Sequence, residues 1–309
     1  MRRVATLSAA TALLLACSDS LSPIDEGDGT PPPPAWLAPE FLFAADAGGN
    51  TQLYIYQGDS ARRFITSTGN DVEASSSAGG GRVAFSSDRD GNAEIYITDV
   101  AASVQRRVTN DPAADGEPTL DPTGTRIAFV RNGSGTPRIW VVAAPALDGA
   151  SGYGTATPLE TGSSALVPEL SPAWSPDGER IAFVSARTGI SQVYVVSASG
   201  GEAVQWTHEA AGAFAPAWSD DGSSIIYAAA GGANTLRRVS ADGIASDFAS
   251  DTLGVGEPTC AGGVCVVVTG TLAGGDGEGG GIVVVTQDGR RARVVFDRTA
   301  HERDPALLR

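Results

Sequence analysis

The chain has 309 residues, with 36 acidic side chains against 21 basic ones and a net charge of -15. Binding to nucleic acid needs clustered positive charge, so this balance excludes a nucleic-acid partner. It fits simple solubility, or a cation or basic peptide as ligand. Every basic residue is arginine.

Residues 1–17 read as a lipoprotein signal peptide. Arg2 and Arg3 form a basic start, and Val4 to Leu15 is an apolar stretch too short to span a bilayer. Leu14-Leu15-Ala16-Cys17 resembles the lipobox cut by lipoprotein signal peptidase. Cys17 would become the lipidated N-terminus, held by three acyl chains whose burial adds up. The alternative is an ordinary signal peptide with a chance cysteine. Ser18, not an aspartate, follows Cys17, which points to the outer membrane of a bacterial envelope, on its periplasmic or surface face. Residues 18–40 are acidic and proline-rich, with the run Pro31-Pro32-Pro33-Pro34, and read as a disordered, extended tether.

The remainder, 41–309, is repetitive. Arg82-Val-Ala-Phe85, Arg126-Ile-Ala-Phe129, Arg180-Ile-Ala-Phe183 and Ile225-Ile-Tyr227 are copies of one element, with weaker copies at Phe41-Leu-Phe43 and Val264-Cys-Val266. The aromatic anchors recur at the interval of a propeller blade. The longest interval contains a Gly/Ala-rich insert, Pro145 to Thr155. A second apolar run follows each anchor, as in Ile95-Tyr-Ile97 and Val193-Tyr-Val-Val196, and a third carries Arg106-Arg-Val-Thr109 or Val204-Gln-Trp-Thr207. A fourth precedes the next anchor: Glu117-Pro-Thr-Leu120, Ser171-Pro-Ala-Trp174, Ala215-Pro-Ala-Trp218 and Glu257-Pro-Thr-Cys260. Ser175-Pro-Asp-Gly178 supplies turn chemistry between them. Runs such as Ile181-Ala-Phe-Val184 are apolar at successive positions, so both strand faces must be covered. Radially stacked four-stranded blades meet that demand. The expected fold is all-β, a six-bladed propeller of four-stranded blades. Arg303-Asp-Pro-Ala-Leu307 would close the first blade, with Ala35-Trp36-Leu37 as competitor.

Ser171-Pro-Ala-Trp-Ser-Pro-Asp-Gly-Glu-Arg-Ile-Ala-Phe-Val-Ser185 is similar to the TolB-type propeller repeat, as is Phe85-Ser-Ser-Asp-Arg-Asp-Gly-Asn-Ala-Glu-Ile-Tyr96. The resemblance runs from Phe41 to the C-terminus and implies a six-bladed propeller in the bacterial envelope. TolB carries an α/β domain before its propeller and is not lipidated, so its role does not transfer.

Cys260-Ala-Gly-Gly-Val-Cys265 reads as two strand ends across a tight turn, and a hairpin disulfide is expected; the alternative is two separately buried thiols. No Gly-x-Ser-x-Gly elbow is present, and His208 and His301 fall in loops. Asp88-Arg-Asp-Gly-Asn92 with Glu94 lacks the spacing of an EF-hand and reads as a strand connection. The residues before the inner-strand proline read Asp71, Glu117, Ser171, Ala215, Glu257 and Asp304, with Val72 in place of the first proline. Propeller symmetry would place them at one mouth of the channel. Four carboxylates there repel unless hydrated, paired or bridged. Asp71, Glu117, Glu257 and Asp304 would then bind a divalent cation weakly, Ca2+ before softer metals. The alternative is that each acid accepts hydrogen bonds from neighbouring strand-end amides. The expected function is a non-enzymatic envelope lipoprotein. It would bind an envelope protein or peptide through one propeller face and meet the membrane only through its lipid. The alternative is a carbohydrate-active or other hydrolase or lyase using the channel carboxylates.

Overall fold

The computed structural model describes residues 20–21 and 40–307, except 48, 58–59, 80, 134, 150–151, 232–234, 250–254, 262–263, 270–280, 287–290 and 295–302. Cys17, nearly all of the expected signal and tether, and His301 lie outside the described residues. The described residues form strands, turns and loops with no helix, so none is long and apolar enough to cross a membrane.

Five sheets have four antiparallel strands each. Blade A begins with Asp71–Ser76 and Arg82–Ser87, blade B with Ala114–Leu120 and Arg126–Asn132, and blade C with Glu169–Trp174 and Arg180–Ser185. Blade D begins with Ala213–Trp218 and Ser224–Ala229, and blade E with Val255–Ala261 and Val264–Thr269. The remaining sheet has five strands, built from both ends of the described chain. In this closing sheet Arg303–Leu307 pairs with Phe41–Ala47, ahead of Asn50–Gln57 and Ser60–Arg63. Ser20–Leu21 then adds to the outer edge, opposite Arg62 and Ala61. The expectation of six four-stranded blades is therefore corrected to five, plus a closing sheet of five strands. The added strand comes from within the expected tether and covers an edge whose amides would otherwise lack partners.

Adjacent sheets bury alternate residues of each strand. In blade B, Ile127 and Phe129 pack on Ile95, Ile97 and Val108 of blade A, whereas Ala128 faces Trp174, Ile181 and Phe183 of blade C. The same large–small alternation recurs in Val83-Ala-Phe85 and Ile181-Ala-Phe183. This accounts for the unbroken apolar runs: each strand has a neighbour on both faces. The insert after Ala143 folds back on blade A, where Leu147 O accepts from Arg106 Nε at 3.0 Å and the Arg107 guanidinium lies over the Tyr153 ring.

Every inner strand pairs with its neighbour through a register shift, the mark of a β-bulge. In blades A to D the bulge residue has a positive φ: Glu73 (55°), Glu117 (49°), Ser171 (50°) and Ala215 (47°). Such angles are uncommon outside glycine, so four repeat-equivalent cases define a built feature of the fold.

Candidate functional site

The bulge residues sit within the inner strands, on the entry side of the residues that line the central cavity, toward one end of the channel, the bulge mouth. Register decides which residues are equivalent. Asp71 opposes Ser87, as Asp115 opposes Arg131 and Glu169 opposes Ser185. Glu73, two residues further on, is the counterpart of Glu117. Asp71 is thus corrected: it does not belong with Glu117 on the bulge. Ala74 stands where later repeats have proline, so matching Val72 to that proline sets the first repeat two residues out of register. Counting back from the aromatic anchor shows the right position, since Glu73 precedes Phe85 by the same interval as Glu117 precedes Phe129. Register puts Glu257 and Asp304 at the equivalent bulges of blade E and the closing sheet. Their side chains lie outside the described residues.

The bulge acids hold the neighbouring blade. A Glu73 carboxylate oxygen accepts from the backbone amide of Glu117 at 2.6 Å, and a Glu117 carboxylate oxygen accepts from the amide of Ser171 at 2.5 Å. In blades A and B the acid thus satisfies the bulge amide of the next blade, a charge-assisted bond of the stronger kind. Gly116 makes room for this relay, because a Cβ there would come within 2.9 Å of Glu73 Oε2. Ser171 and Ala215 carry no carboxylate, so the relay has no acid to offer beyond blade C until Glu257. Among the described residues no group of acids, histidines or cysteines is arranged to hold a metal ion.

Asp71, Asp115 and Glu169 form a separate layer of fully buried acids, each paired with arginine. Asp71 accepts from Ser67, Ser87 and Arg89 at 2.6–2.7 Å. Asp115 takes a bidentate pair from Arg131 at 2.8 and 2.7 Å, and Glu169 bonds Arg138 at 3.0 Å and Arg187 at 3.1 Å. Arg89, Arg131 and Arg187 also lie over the aromatic anchors of their own blades, Phe85, Phe129 and Phe183. The signal of these couples in the sequence is an acid two residues before the bulge residue and an arginine two to four residues after the aromatic anchor, in blades A to C. The Asp88–Asn92 loop is likewise held by its own side chains, with Asp88 accepting from the Asn70 amide at 2.6 Å and Asp90 from the Tyr96 hydroxyl at 2.5 Å. His208 is exposed, with its Nδ1 3.1 Å from Gln205 Nε2.

The opposite end of the channel is a rim of tight turns. Arg82, Arg126 and Arg180 each donate to the carbonyl of the next blade's turn glycine, Gly124, Gly178 and Gly222, at 2.8, 2.9 and 3.1 Å. Those glycines have φ between 66° and 70°, a conformation that a Cβ would strain. Trp174 and Trp218 return the contact, donating to the carbonyls of Thr119 and Ala173 at 3.1 and 3.0 Å. Arg126 and Arg180 stack on those two indoles. Between the rims lies a cavity of about 190 Å³, lined by residues such as Ser75, Thr119, Pro172, Trp174, Pro216 and Trp218. The described lining holds no acid, arginine or histidine. Cys260 and Cys265 face each other across the blade E hairpin, joined by a disulfide with a Cα–Cα separation of 4.0 Å.

The model of the TolB beta propeller domain matches residues 159–307. The chain carries a TolB-like β-propeller. A TolB homologue from Protochlamydia amoebophila is 27% identical over 178 residues, which cover 53% of this chain and 36% of the relative. An uncharacterized peptidase of Bacillus subtilis, YuxL, is 34% identical over 117 residues, 36% of this chain and 16% of that protein. The chain thus spans about a third or less of the length of these curated relatives. The crystal structure of TolB from Acinetobacter baumannii superposes with a TM-score of 0.71 at 18% identity, covering 89% of this chain and 68% of the other. At that identity the likeness speaks for the fold, and the TolB-like propeller leaves function to the site itself.

Proposed function

We propose that this propeller is a non-enzymatic binding module of the bacterial envelope, tethered through Cys17 and a segment within residues 18–40, that takes a protein or peptide at its bulge mouth. The observation that carries the reading is the fate of the charged groups. Glu73 and Glu117 are engaged by backbone amides and the Asp71 layer is engaged by arginines, so these acids hold the fold together rather than stand ready as acid and base. The exposed large apolar residues Leu166, Ile190 and Phe214 belong to segments at the strand ends of this side, and those of Ile190 and Phe214 are hydrogen-bonded to each other. A cation at the acids is the weaker reading, since two of the ring's carboxylates are already bonded.

The test is site-specific photo-crosslinking in intact envelopes, with the photoreactive residue at Leu166 or Ile190 on the mouth, or at Ile244 on the turn rim. Discrete adducts from the mouth positions and none from Ile244 are expected. Adducts from Ile244 alone would overturn the assignment of the binding face. Palmitate labelling that is lost in Cys17→Ser checks the anchor, and equal labelling of both proteins would refute it.

A further inference from the structure

The relay of acids gives the mouth a chemical preference in one sector. Glu73 bonds the amide of Glu117, and Glu117 bonds the amide of Ser171. Ala215 repeats the backbone conformation of both acceptor positions, with φ 47° beside 49° and 50°. The residue that would serve its amide is Ser171, whose hydroxymethyl group is too short to reach where a glutamate reaches. Among the described residues, blades C and D with the loop leading into blade C carry exposed apolar residues on this side: Leu166 is 83%, Ile190 46% and Phe214 40% accessible. Ile190 and Phe214 belong to one surface, because Ala213 N donates to Ser191 O at 2.9 Å and clamps the two segments together.

We infer that the blade C/blade D sector of the mouth binds a peptide segment bearing an acidic side chain next to an apolar one. The ligand's carboxylate takes the place that a glutamate at 171 would fill and accepts from the Ala215 amide. Its apolar neighbour packs on Phe214 and Ile190. The glutamate side chain is the favoured ligand group because Glu73 and Glu117 show that its length and charge fit this backbone. The inference rests on the mouth being the binding face and adds the chemistry of what is bound there.

The probe is a phage-displayed dodecapeptide library selected on the full-length protein in detergent. The variants are Ser171→Glu, which supplies the missing carboxylate from within, Ser171→Ala, and Ile190→Ser/Phe214→Ser. Residue 171 tolerates glutamate, since Glu73 and Glu117 hold the same φ. Selected peptides are expected to share an Asp or Glu beside an apolar residue and to bind Ser171→Ala as they bind the parent. Their binding to Ser171→Glu should fall by about tenfold, the factor for one lost hydrogen bond to a charged group. Peptides that bind Ser171→Glu undiminished but lose binding to Ile190→Ser/Phe214→Ser would overturn the carboxylate inference and leave the mouth as the binding face. Failure to select any peptide, or indifference to all three variants, would overturn both.

Discussion

The two ends of the channel are made from the same repeat, yet they use it differently. At the turn rim, arginine reaches forward to a glycine carbonyl and tryptophan reaches back to the preceding blade. The arginine contact recurs in each step from blade A to blade D. At the mouth the relay starts with Glu73 and Glu117 and has no further acid in blades C and D. The arginine contact, present at each step from blade A to blade D, serves architecture. A device interrupted beside exposed apolar side chains leaves a place that a ligand can complete. Among the described residues the indole contact is confined to blades C and D. Register puts Cys260 and Cys265 at the positions of Trp218 and Ile225, so the disulfide stands where the indole clamp stood.

The largest expected effect is at the buried acid layer. Arg131→Met leaves Asp115 buried and unpaired, and should lower stability by about 3–5 kcal/mol in urea unfolding, with part regained in Arg131→Met/Asp115→Asn. A loss under 1 kcal/mol, an estimate set by the value of exposed pairs, would mean the couple is solvated. Next comes the disulfide. Its short loop is worth on the order of 2 kcal/mol in the loop-entropy model, so Cys260→Ala/Cys265→Ala should unfold at lower denaturant with the relay intact. Two freely alkylated thiols in the unreduced protein would refute the bond. Trp218→Phe keeps the ring but loses the indole N–H bond, leaving the Ala173 carbonyl short of a donor, and should cost about 1–2 kcal/mol. It should leave crosslinking from Leu166 unchanged, which separates the two rims.

Most of this architecture is legible in the sequence because it is local. Turn chemistry at Ser175-Pro-Asp-Gly178 and the paired apolar runs report the strands directly, and the Arg303–Leu307 closure is visible in its Asp-Pro pair. The site is less legible because it depends on register. Glu73 was hidden by the loss of one proline, and a two-residue slip exchanged it for Asp71, whose partners are wholly different. The clamp from Arg126 to Gly178 joins residues of separate repeats, so no single motif displays it. Ser20–Leu21 carries no strand signal of its own; its pairing is decided by the open edge it meets.

The smallest expected effect is electrostatic and belongs to the turn rim. The Ser219 hydroxyl, with the amide and hydroxyl of Ser223, holds the Asp221 carboxyl at about 2, below the ordinary 3.8, and the Ser175 hydroxyl also lowers Asp177. A depressed folded-state pKa means stability that is full above about pH 4, the unfolded value, and is lost as pH falls through the folded one. Melting temperature should therefore decline between about pH 4 and pH 2, less steeply in Asp221→Asn. An unchanged slope in that variant would show that the turn does not contribute.

Amide hydrogen exchange at the three bulge residues tests most directly whether the relay ends at blade C. The Glu117 and Ser171 amides, bonded to carboxylates, should exchange slowly, and the Ala215 amide should exchange faster than both. Glu73→Gln should speed Glu117 alone, and Ser171→Glu should slow Ala215. Equal protection of all three amides in the parent protein, or an Ala215 amide indifferent to Ser171→Glu, would contradict the account.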